Sequence, residues 1–456
     1  MGSSAEVVIC GAGIAGVSLA YQLACRHGLR RVVLVDERPP LTLTSDKSTE
    51  AYRNWWPGPD DAMIRLMNRS IDLLEELAVA SDNRFAMNRR GYLYCTADPV
   101  RAQAYREQGL AAMAAGAGEL RIHSGRESDP DYRPHAASGW RDQPGGADLI
   151  LDDVLLGQAV PGLAGDVYAA LHTRRCGWLS GQQLGMEQLE RARRSGVELV
   201  TGRVEAVEVV GGAVTEVRLA EPGGTRCIPT GRFVNAAGPM LQPVARLLGL
   251  ELPVFSELHL KTSFEDHLGV VRRDAPLLIW EDPQVLDWPA AERAELAADP
   301  ATRWLTETMP AGVHLRPEGR RHVIILWPYH AGPVAETFPL EIPEEYAEVC
   351  LRGMTRLLPG LAAYHERMPQ PFVDGGYYTK TRENRPLACP LPVAGAFVHG
   401  ALSGFGIMAS SATAELAAAH VTGEALPEYA PAFHLDRYSD TAYLARLEAW
   451  GDGAQL

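Results

Sequence analysis

The chain has little of what a membrane-spanning or nucleic-acid-binding protein needs. None of its apolar runs approaches the ~20 residues that a membrane-spanning helix requires. Its formal net charge is -14 at pH 7, and a chain with this acidic balance disfavours a partner with a phosphate backbone. We therefore expect neither a membrane span nor a nucleic-acid partner.

Cysteine is scarce and scattered. The seven cysteines lie far apart and form no C-x-x-C pair, whereas a zinc site needs closely spaced ligands. We therefore predict no metal site. Isolated thiols in a chain of 456 residues also argue against a disulfide framework and favour a reducing compartment. No basic and apolar leader precedes the first strand pattern, so we expect a cytoplasmic location.

The N-terminal segment carries the clearest motif. A strand-like run is followed by Gly11, Gly13 and Gly16, a helical stretch and a second strand that ends at Asp36. In a dinucleotide-binding βαβ unit these glycines permit the tight turn, admit the pyrophosphate and let the helix pack on the sheet. Asp36 stands where an acidic side chain binds ribose hydroxyls. The motif predicts a bound dinucleotide but does not separate NAD from FAD.

Two later segments supply that distinction. RFVNAAGP (232–239) and HGALSGFGIMASSATAEL (399–416) resemble the returning strand and the second glycine turn of the D-amino-acid oxidase superfamily of FAD-dependent oxidoreductases. Gly400, Gly404 and Gly406 permit close backbone approach. A helix N-terminus after them would stabilise negative charge on a reduced flavin. The resemblance implies FAD as the cofactor.

The resemblance also implies the architecture. It predicts an α/β protein in which a Rossmann-like FAD-binding domain of the glutathione-reductase type is interleaved with an α+β substrate domain built on a mostly antiparallel sheet. The polar stretch 119–148 predicts an irregular surface excursion. The expected boundaries are 5–52, 160–250 and 372–424 for the FAD-binding domain, 53–159 and 251–371 for the substrate domain, and 425–456 for a C-terminal tail.

The residues that the resemblance assigns to FAD lie in the two glycine turns and in the segments between them. They are Gly11, Gly13, Ile14, Ala15, Gly16, Asp36, Glu37, Ser48, Thr49, Val204, Ala237, Gly238, Gly376, Gly400, Ser403, Gly404, Phe405, Gly406, Ile407 and Met408.

Attachment of the cofactor is expected to be non-covalent. Some relatives link FAD to a histidine in an S-T-x-H segment, and here Ala51 takes the place of that histidine. Monomeric sarcosine oxidases use a cysteine just before a Y-T-x-T stretch, where this chain has Gly376 or Tyr377.

Two stretches point to the sarcosine oxidase and dimethylglycine dehydrogenase branch of the superfamily. YYTKTRENRPLACP (377–390) is similar to its Y-T-x-T-P-D-x-x-P-x-I-G stretch, and HLRPEGRRHVIILWPYH (314–330) to its Y-x-R-x-x-G-x-x-L-x-G-P-Y strand pair. The resemblance implies oxidation of a primary or secondary amine, of amino-acid or N-methyl amino-acid type, to an imine by hydride transfer to flavin N5. Oxidation of a 2-hydroxy acid is the alternative reaction, and a non-catalytic FAD-binding assembly or scaffold protein is the alternative class.

The electron acceptor is left open. The oxidases of this branch carry two lysines that assist oxygen reduction, and the matching positions here are Leu326 or Trp327 and Met408. These replacements weaken the case for a fast oxidase, so oxygen and an electron-carrier acceptor both stay possible. The oligomeric state is not predicted.

Candidate residues for the chemistry come from the matched stretches. Arg53 aligns with an arginine near the flavin, Tyr329 and His330 end a substrate-lobe strand, and Tyr378 opens the second stretch. Tyrosine can bind a substrate carboxylate, and histidine can accept a proton near neutral pH. Arg53 is alternatively a capping or surface arginine, and each of the other three is alternatively a packed core residue. The expected substrate-binding residues are Trp55, His259, Lys261, Trp327 and Lys380, with Trp56 completing a possible aromatic box around a cationic amine.

Overall fold

The computed structural model of the protein describes residues 4–56, 58, 60–330 and 332–450, so the predicted tail extends beyond the described residues. The strands in chain order are β1 Val7–Cys10, β2 Val32–Asp36, β3 Ala51–Arg53, β4 Tyr92–Thr96, β5 Leu120–His123, β6 Ala147–Ile150, β7 Ala169–Thr173, β8 Cys176–Trp178, β9 Glu198–Thr201, β10 Arg203–Val210, β11 Ala213–Glu221, β12 Gly224–Pro229, β13 Phe233–Asn235, β14 Phe255–Glu265, β15 Leu277–Trp280, β16 Gln284–Val285, β17 Thr308–Met309, β18 Val313–Glu318, β19 His322–Leu326, β20 Phe372–Lys380, β21 Leu387–Pro390 and β22 Ala396–Gly400.

Helices connect and cover these strands, and several one-turn 3₁₀ helices add to them. The α-helices are α1 Ile14–Tyr21, α2 Ala62–Ala80, α3 Pro99–Ala114, α4 Asp153–Ala159, α5 Gly181–Arg194, α6 Leu241–Arg246, α7 Ala290–Ala298, α8 Tyr346–Thr355, α9 Gly406–Thr422 and α10 Thr441–Trp450.

A six-stranded sheet carries the dinucleotide motif. Its order is β21-β22-β13-β1-β2-β9, and all of its strand pairs are parallel except β21 with β22. The residues of β1 are all buried, as expected for a parallel strand covered by helices on both faces. Helix α1 is buried on every side because it lies between this sheet and helices α5 and α9. This sheet and its helices form the expected Rossmann-like layer.

A nine-stranded sheet forms the second lobe. Its order is β20-β14-β19-β18-β15-β4-β7-β6-β5, and only the pairs β15–β4 and β5–β6 are parallel. The predicted α/β fold with a mostly antiparallel second sheet is therefore confirmed. Helix α8 covers one face of this sheet, against β14, β18 and β19. The other face is turned toward the dinucleotide-binding lobe.

Two strands belong to a different lobe from the one that the expected domain boundaries assign to them. The sequence-based boundaries place β7 and β20 in the FAD-binding domain, but β7 pairs with β4 and β6, and β20 pairs with β14 along its whole length. Because a strand belongs to the sheet whose hydrogen bonds it shares, both are part of the second lobe. We therefore expect the segments of the Rossmann-like lobe to resume after Thr173 and after Lys380.

The polar stretch 119–148 is partly regular. It begins with β5 and ends at β6, and the irregular part between them is tied to the sheet through side chains. Tyr132 Oη lies 2.9 Å from His172 Nδ1, and His135 Nε2 lies 2.6 Å from the Asp274 carbonyl oxygen. The excursion is thus anchored at its centre.

Gly16 fixes the approach of α1 to the turn before it. A Cβ added at Gly16 would lie 1.8 Å from the Gly11 carbonyl oxygen, a distance that only backbone movement could relieve. We predict that Gly16→Ala lowers the free energy of unfolding by roughly 3 kcal/mol, the upper range for overpacking, and reduces the bound dinucleotide content. Urea unfolding and cofactor absorbance measure the two effects.

Gly157→Ala is the matched control, since Gly157 lies inside α4 and an added Cβ meets nothing within 4 Å. The free energy of unfolding of this control should rise by about 0.5–1 kcal/mol, because alanine has a better helix propensity than glycine. Equal unfolding curves for the two variants would contradict the packing argument.

Candidate active site

A long cleft of about 850 Å³ runs along the carboxyl ends of the parallel strands. Its walls come from the first glycine turn, the segment 41–48, the turn after β13 and the second glycine turn. The predicted cofactor residues that line it are Gly11, Gly13, Ile14, Ala15, Asp36, Ser48, Ala237, Gly238, Gly400, Ser403, Gly404, Gly406 and Ile407. Ligands of open α/β sheets bind at this edge of the sheet.

The dinucleotide end of the cleft is built by hydrogen bonds to the glycine turn. The Ala12 backbone N–H donates to Asp36 Oδ2 at 2.7 Å, and the Ile14 N–H donates to Ser45 Oγ at 2.9 Å. A Cβ at Gly11 would lie 2.4 Å from the Ala236 carbonyl oxygen, so glycine is required where the turn meets β13. The remaining N–H groups at the N-terminus of α1 have no intrahelical acceptor and favour an anion.

The second glycine turn is conformationally strained. Ala401 and Ser403 have φ of +53° and +50°, in the left-handed region that non-glycine residues rarely adopt. Strain of this kind concentrates at ligand-binding loops. The turn brings Gly404 against the Tyr378 ring, where an added Cβ would lie 2.6 Å from the ring atom Cε2.

A second cavity of about 800 Å³ adjoins the cleft beneath the nine-stranded sheet. Four residues line both spaces and mark the junction between them: Ser48, Tyr378, Ser403 and Gly404. The remaining wall is mainly apolar and aromatic, and its residues include Trp56, Tyr92, Leu277, Ile279, Leu326, Phe405 and Met408. The two spaces therefore form one continuous site with a polar end and an apolar end.

One row of residues runs across five strands of the nine-stranded sheet, and its members Ile279, His314 and Leu326 line the second cavity. Tyr94 pairs with Ile279, Ile279 with His314, His314 with Leu326, and Leu326 with Lys261. Residues opposite one another in adjacent strands share a face of the sheet. The sheet register therefore brings residues far apart in sequence to the same face.

Arg53 is a buried cation in the cavity wall. Its side chain donates from Nη1 to Tyr94 Oη at 2.9 Å, and its guanidinium lies 4.8 Å from the centre of the Trp56 ring. Among the described residues no carboxylate oxygen lies within 4.0 Å of it, and Nε has no hydrogen-bond partner. Because a buried charge is costly without a counter-ion, this group is suited to an anionic ligand.

Two histidines line the cavity in the neutral form. His314 Nδ1 lies 2.9 Å from the Gly312 carbonyl oxygen, so Nδ1 carries the proton and Nε2 is an acceptor. Burial lowers the pKa of His314 to about 4. Burial also lowers the pKa of His259, whose Nε2 lies 3.1 Å from Glu257 Oε2.

Tyr378 and His259 stack at the junction. Their ring centres are 4.2 Å apart with an interplanar angle of 14°. His259 lies opposite Gly376 in the β14–β20 ladder, so no side chain blocks the diagonal contact with Tyr378 two residues later. Burial raises the pKa of Tyr378 far above its usual range, and its hydroxyl is therefore a neutral hydrogen-bonding group.

The two lysines that were predicted to bind the substrate, Lys261 and Lys380, lie behind the residues that line the second cavity. Lys380 Nζ pairs with Glu257 Oε2 at 2.7 Å, and Glu257 in turn orients His259. Lys261 Nζ donates to the carbonyl oxygens of Asp46 and Ser48. Lys261 therefore fixes the segment that carries Ser48 at the junction.

Four expected active-site residues lie away from the cavity. Leu326, the last residue of β19, faces it, whereas Trp327 and Tyr329 follow the strand and pack on the side of α8. There Trp327 contacts Gly353 of α8 and Tyr329 stacks on Trp304. His330 is exposed and packs against the same Trp304 ring, while Trp55 is a buried core residue.

Seven expected FAD residues do not line the cleft. Gly16 packs against Gly11, Glu37 is exposed, Val204 is a buried core residue of β10, and Gly376 faces Thr44 and Lys47. The other three line the second cavity instead, namely Thr49, Phe405 and Met408.

Several residues that line the cleft or the second cavity were not predicted from the sequence. His314 and Asn384 belong to the two matched stretches, but only the sheet register and the loop conformation turn them inward. The segment 41–45 lines the cofactor cleft although its composition shows no motif. Tyr377 also lines the cleft, and its position beside Tyr378 was the available signal.

A Rossmann-like lobe with a glycine-lined cleft, joined to a sheet-roofed cavity, defines a dinucleotide-dependent oxidoreductase of two interleaved lobes. The family model described as FAD dependent oxidoreductase (DAO) matches residues 6–420. The chain belongs to this family, and its cofactor is FAD. Among curated proteins, sequence comparison finds no significant match.

Solved structures share the fold. L-proline dehydrogenase from P. horikoshii has a TM-score of 0.73 at 18% identity, with 96% of this chain and 99% of that chain covered. Glycine oxidase from Geobacillus kaustophilus has a TM-score of 0.71 at 16% identity, with 95% and 98% covered. Iminodiacetate oxidase from Chelativorans sp. has a TM-score of 0.68 at 19% identity, with 94% and 98% covered. Within the described ranges no helix is long and apolar enough to cross a membrane.

Glu281 lies just beyond the cavity roof, after β15. Burial raises its pKa to about 7, against the lowering effect of Arg101 and Arg53. Its closest cation is Arg101, with Nη1 3.9 Å from Oε2. The folded protein therefore binds a proton at Glu281 more tightly than the unfolded chain does, and stability falls as pH rises from 4.5 to about 7.

We predict that Glu281→Gln stabilises the protein at pH 8 by roughly 3 kcal/mol and leaves its stability unchanged at about pH 3, where the carboxyl is protonated in both the folded and the unfolded state. Urea unfolding at the two pH values measures the difference. The exposed Glu127→Gln serves as the control and should show no such pH dependence. An equal effect of Glu281→Gln at both pH values would contradict the prediction.

Proposed function

We propose that the protein oxidises a primary or secondary amine of the amino-acid or N-methyl amino-acid type to an imine, using FAD. The observation that carries this proposal is Arg53, a buried guanidinium without a carboxylate partner among the described residues, in a cavity that opens onto the cofactor cleft. A substrate carboxylate would supply the counter-ion. The structural neighbours include a proline dehydrogenase, a glycine oxidase and an iminodiacetate oxidase, and these activities agree with such a substrate.

The cleft fits FAD in several respects. Gly11 and Gly13 leave room for a pyrophosphate at the N-terminus of α1, and Asp36 stands at the end of β2 for the ribose. The ring system would then reach the junction formed by Ser48, Tyr378, Ser403 and Gly404. Bound there, FAD would supply a two-electron acceptor for a hydride from the substrate.

The cavity residues would select and orient the substrate. Arg53 would bind the carboxylate, and the apolar wall of Ile279, Leu326 and Phe405 would exclude water. His314 and His259 are neutral at pH 7 and accept hydrogen bonds rather than hold positive charge. Together with the charge of Arg53, they favour a neutral amine over an ammonium group, and only the neutral amine has the lone pair that hydride loss requires.

The acceptor of the electrons is proposed to be an electron carrier rather than oxygen. Leu326 and Met408 occupy the positions that the resemblance assigns to oxygen-assisting lysines, and both line the cavity with apolar side chains. Lys261 does not replace them, because its ammonium group is held by two backbone carbonyls. A cytoplasmic location is supported by the seven cysteines, all of which are free thiols.

Anaerobic reduction of the flavin tests the proposed reaction. Amino acids and N-methyl amino acids should bleach the flavin absorbance, whereas 2-hydroxy acids should not. Bleaching by hydroxy acids alone would support the alternative reaction, and absence of bleaching by any of these substrates would support a non-catalytic role. Dyes should reoxidise the reduced protein faster than oxygen does.

Removal of the Arg53 charge tests the substrate contact. We predict that Arg53→Met weakens binding of the active amino acid by roughly 100-fold, as expected for loss of about 2–3 kcal/mol from a charged hydrogen-bonded pair. Arg53→Lys should weaken binding of this amino acid less, and Arg126→Met, at an exposed position, should bind it as wild type does. An equal loss with an amine that lacks a carboxylate would show that Arg53 does not bind this group.

The mode of FAD attachment is proposed to be non-covalent. Among the residues that the structure describes, no cysteine or histidine lines the cofactor cleft, and Ala51 stands at one family attachment position. We predict that acid precipitation of the holoprotein releases all of the flavin into the supernatant, where its absorbance and fluorescence are measured. Yellow colour retained in the washed pellet would disprove this prediction.

A further inference from the structure

The C-terminal segment 435–443 packs behind the loop 381–386. Glu383 of this loop lies at the centre of the contact. Its side chain is 1% exposed and pairs with Arg437 Nε at 2.7 Å. The hydroxyls of Tyr438 and Tyr443 donate to Glu383 Oε1 at 2.9 and 3.0 Å. This carboxylate is therefore fully enclosed by groups of the C-terminal segment.

The same segment holds the loop backbone. Arg437 donates to the carbonyl oxygen of Pro386 from Nη1 and to that of Arg385 from Nη2, both at 3.1 Å. Thr381 Oγ1 closes the loop from within, since it donates to the Arg385 carbonyl at 2.8 Å and accepts from the Arg385 N–H at 3.0 Å. The loop backbone is thus held by Thr381 within the loop and by Arg437 of the C-terminal segment.

The loop presents Asn384 to the substrate cavity. Asn384 lies between Glu383 and Arg385 and has φ of +60°, a left-handed conformation that persists only when the flanking residues are held. Glu383 is held by the C-terminal segment, and Arg385 donates from Nη2 to Asp60 Oδ1 at 2.6 Å. Asp60 belongs to the loop that follows Trp56, another cavity residue, so one network connects both walls.

We propose that Asn384 contacts the bound substrate and that Glu383, Arg437, Tyr438 and Tyr443 are positioning residues that hold it in place. This inference rests on the proposed function in one respect, because it takes the second cavity as the substrate site. It goes further in giving the C-terminal segment a role in substrate affinity, although none of its residues lines the cavity.

The test combines Tyr438→Phe with Tyr443→Phe in the full-length holoprotein, which keeps the Arg437–Glu383 pair and the fold. Amide hydrogen exchange in residues 381–386 should become at least roughly tenfold faster. The dissociation constant of benzoate, a carboxylate probe followed by the flavin absorbance, should rise roughly tenfold. With an active substrate KM should rise similarly, whereas kcat should change less than about twofold, as expected for a contact made equally in the ground and transition states.

Two further variants distinguish a loss of loop order from a loss of the contact between Asn384 and the ligand. Asn384→Asp keeps a residue that tolerates positive φ and places a negative charge in the cavity, so it should weaken benzoate binding at least about tenfold without faster exchange in the loop. Tyr429→Phe changes a tyrosine that precedes this segment and lies outside the network, so it should match wild type in all measurements.

Unchanged loop exchange in the double variant, or faster exchange with unchanged benzoate affinity, would overturn the inference. So would wild-type affinity of Asn384→Asp. Failure of every amine to reduce the wild-type flavin would instead count against the proposed function, because the exchange and benzoate measurements need no turnover.

Discussion

The contact of Tyr378 with Gly404 on one side and His259 on the other joins the two lobes at the point where the cofactor cleft meets the second cavity. The ring stacks on His259 at 4.2 Å, and Gly404 is close enough that a Cβ would lie 2.6 Å from Cε2. Tyr378 belongs to the nine-stranded sheet and Gly404 to the turn before α9. Any shift between the lobes would open this contact, so the shape of the whole site depends on it.

Strand alternation and register explain which residues reach the site. Ile279, His314 and Leu326 form one row across the sheet, and this row gives the cavity two apolar side chains and one neutral histidine. Apolar walls raise the cost of every unpaired charge inside. The same environment that keeps His314 neutral therefore strengthens the attraction between the charged Arg53 and an anionic ligand.

The cofactor half could be read from the sequence because its signals are local: Gly11, Gly16 and Asp36 act through spacing within one βαβ unit. The substrate half depends on non-local register. Trp327 and Tyr329 directly follow β19, yet Leu326 is the residue that faces the cavity. The sequence WPYH does not indicate which of its side chains faces the cavity. His314 and the network around Glu383 were missed for the same reason, since their partners lie in distant segments.

We propose that the cleft and the second cavity form one site, with FAD in the first and an amino-acid carboxylate on Arg53 in the second. A crystal structure of the holoprotein with a carboxylate ligand would show both positions. We expect the isoalloxazine ring among Ser48, Tyr378, Ser403 and Gly404, with the ligand carboxylate within hydrogen-bond distance of the Arg53 guanidinium. A ring placed outside this junction, or a carboxylate bound away from Arg53, would contradict it.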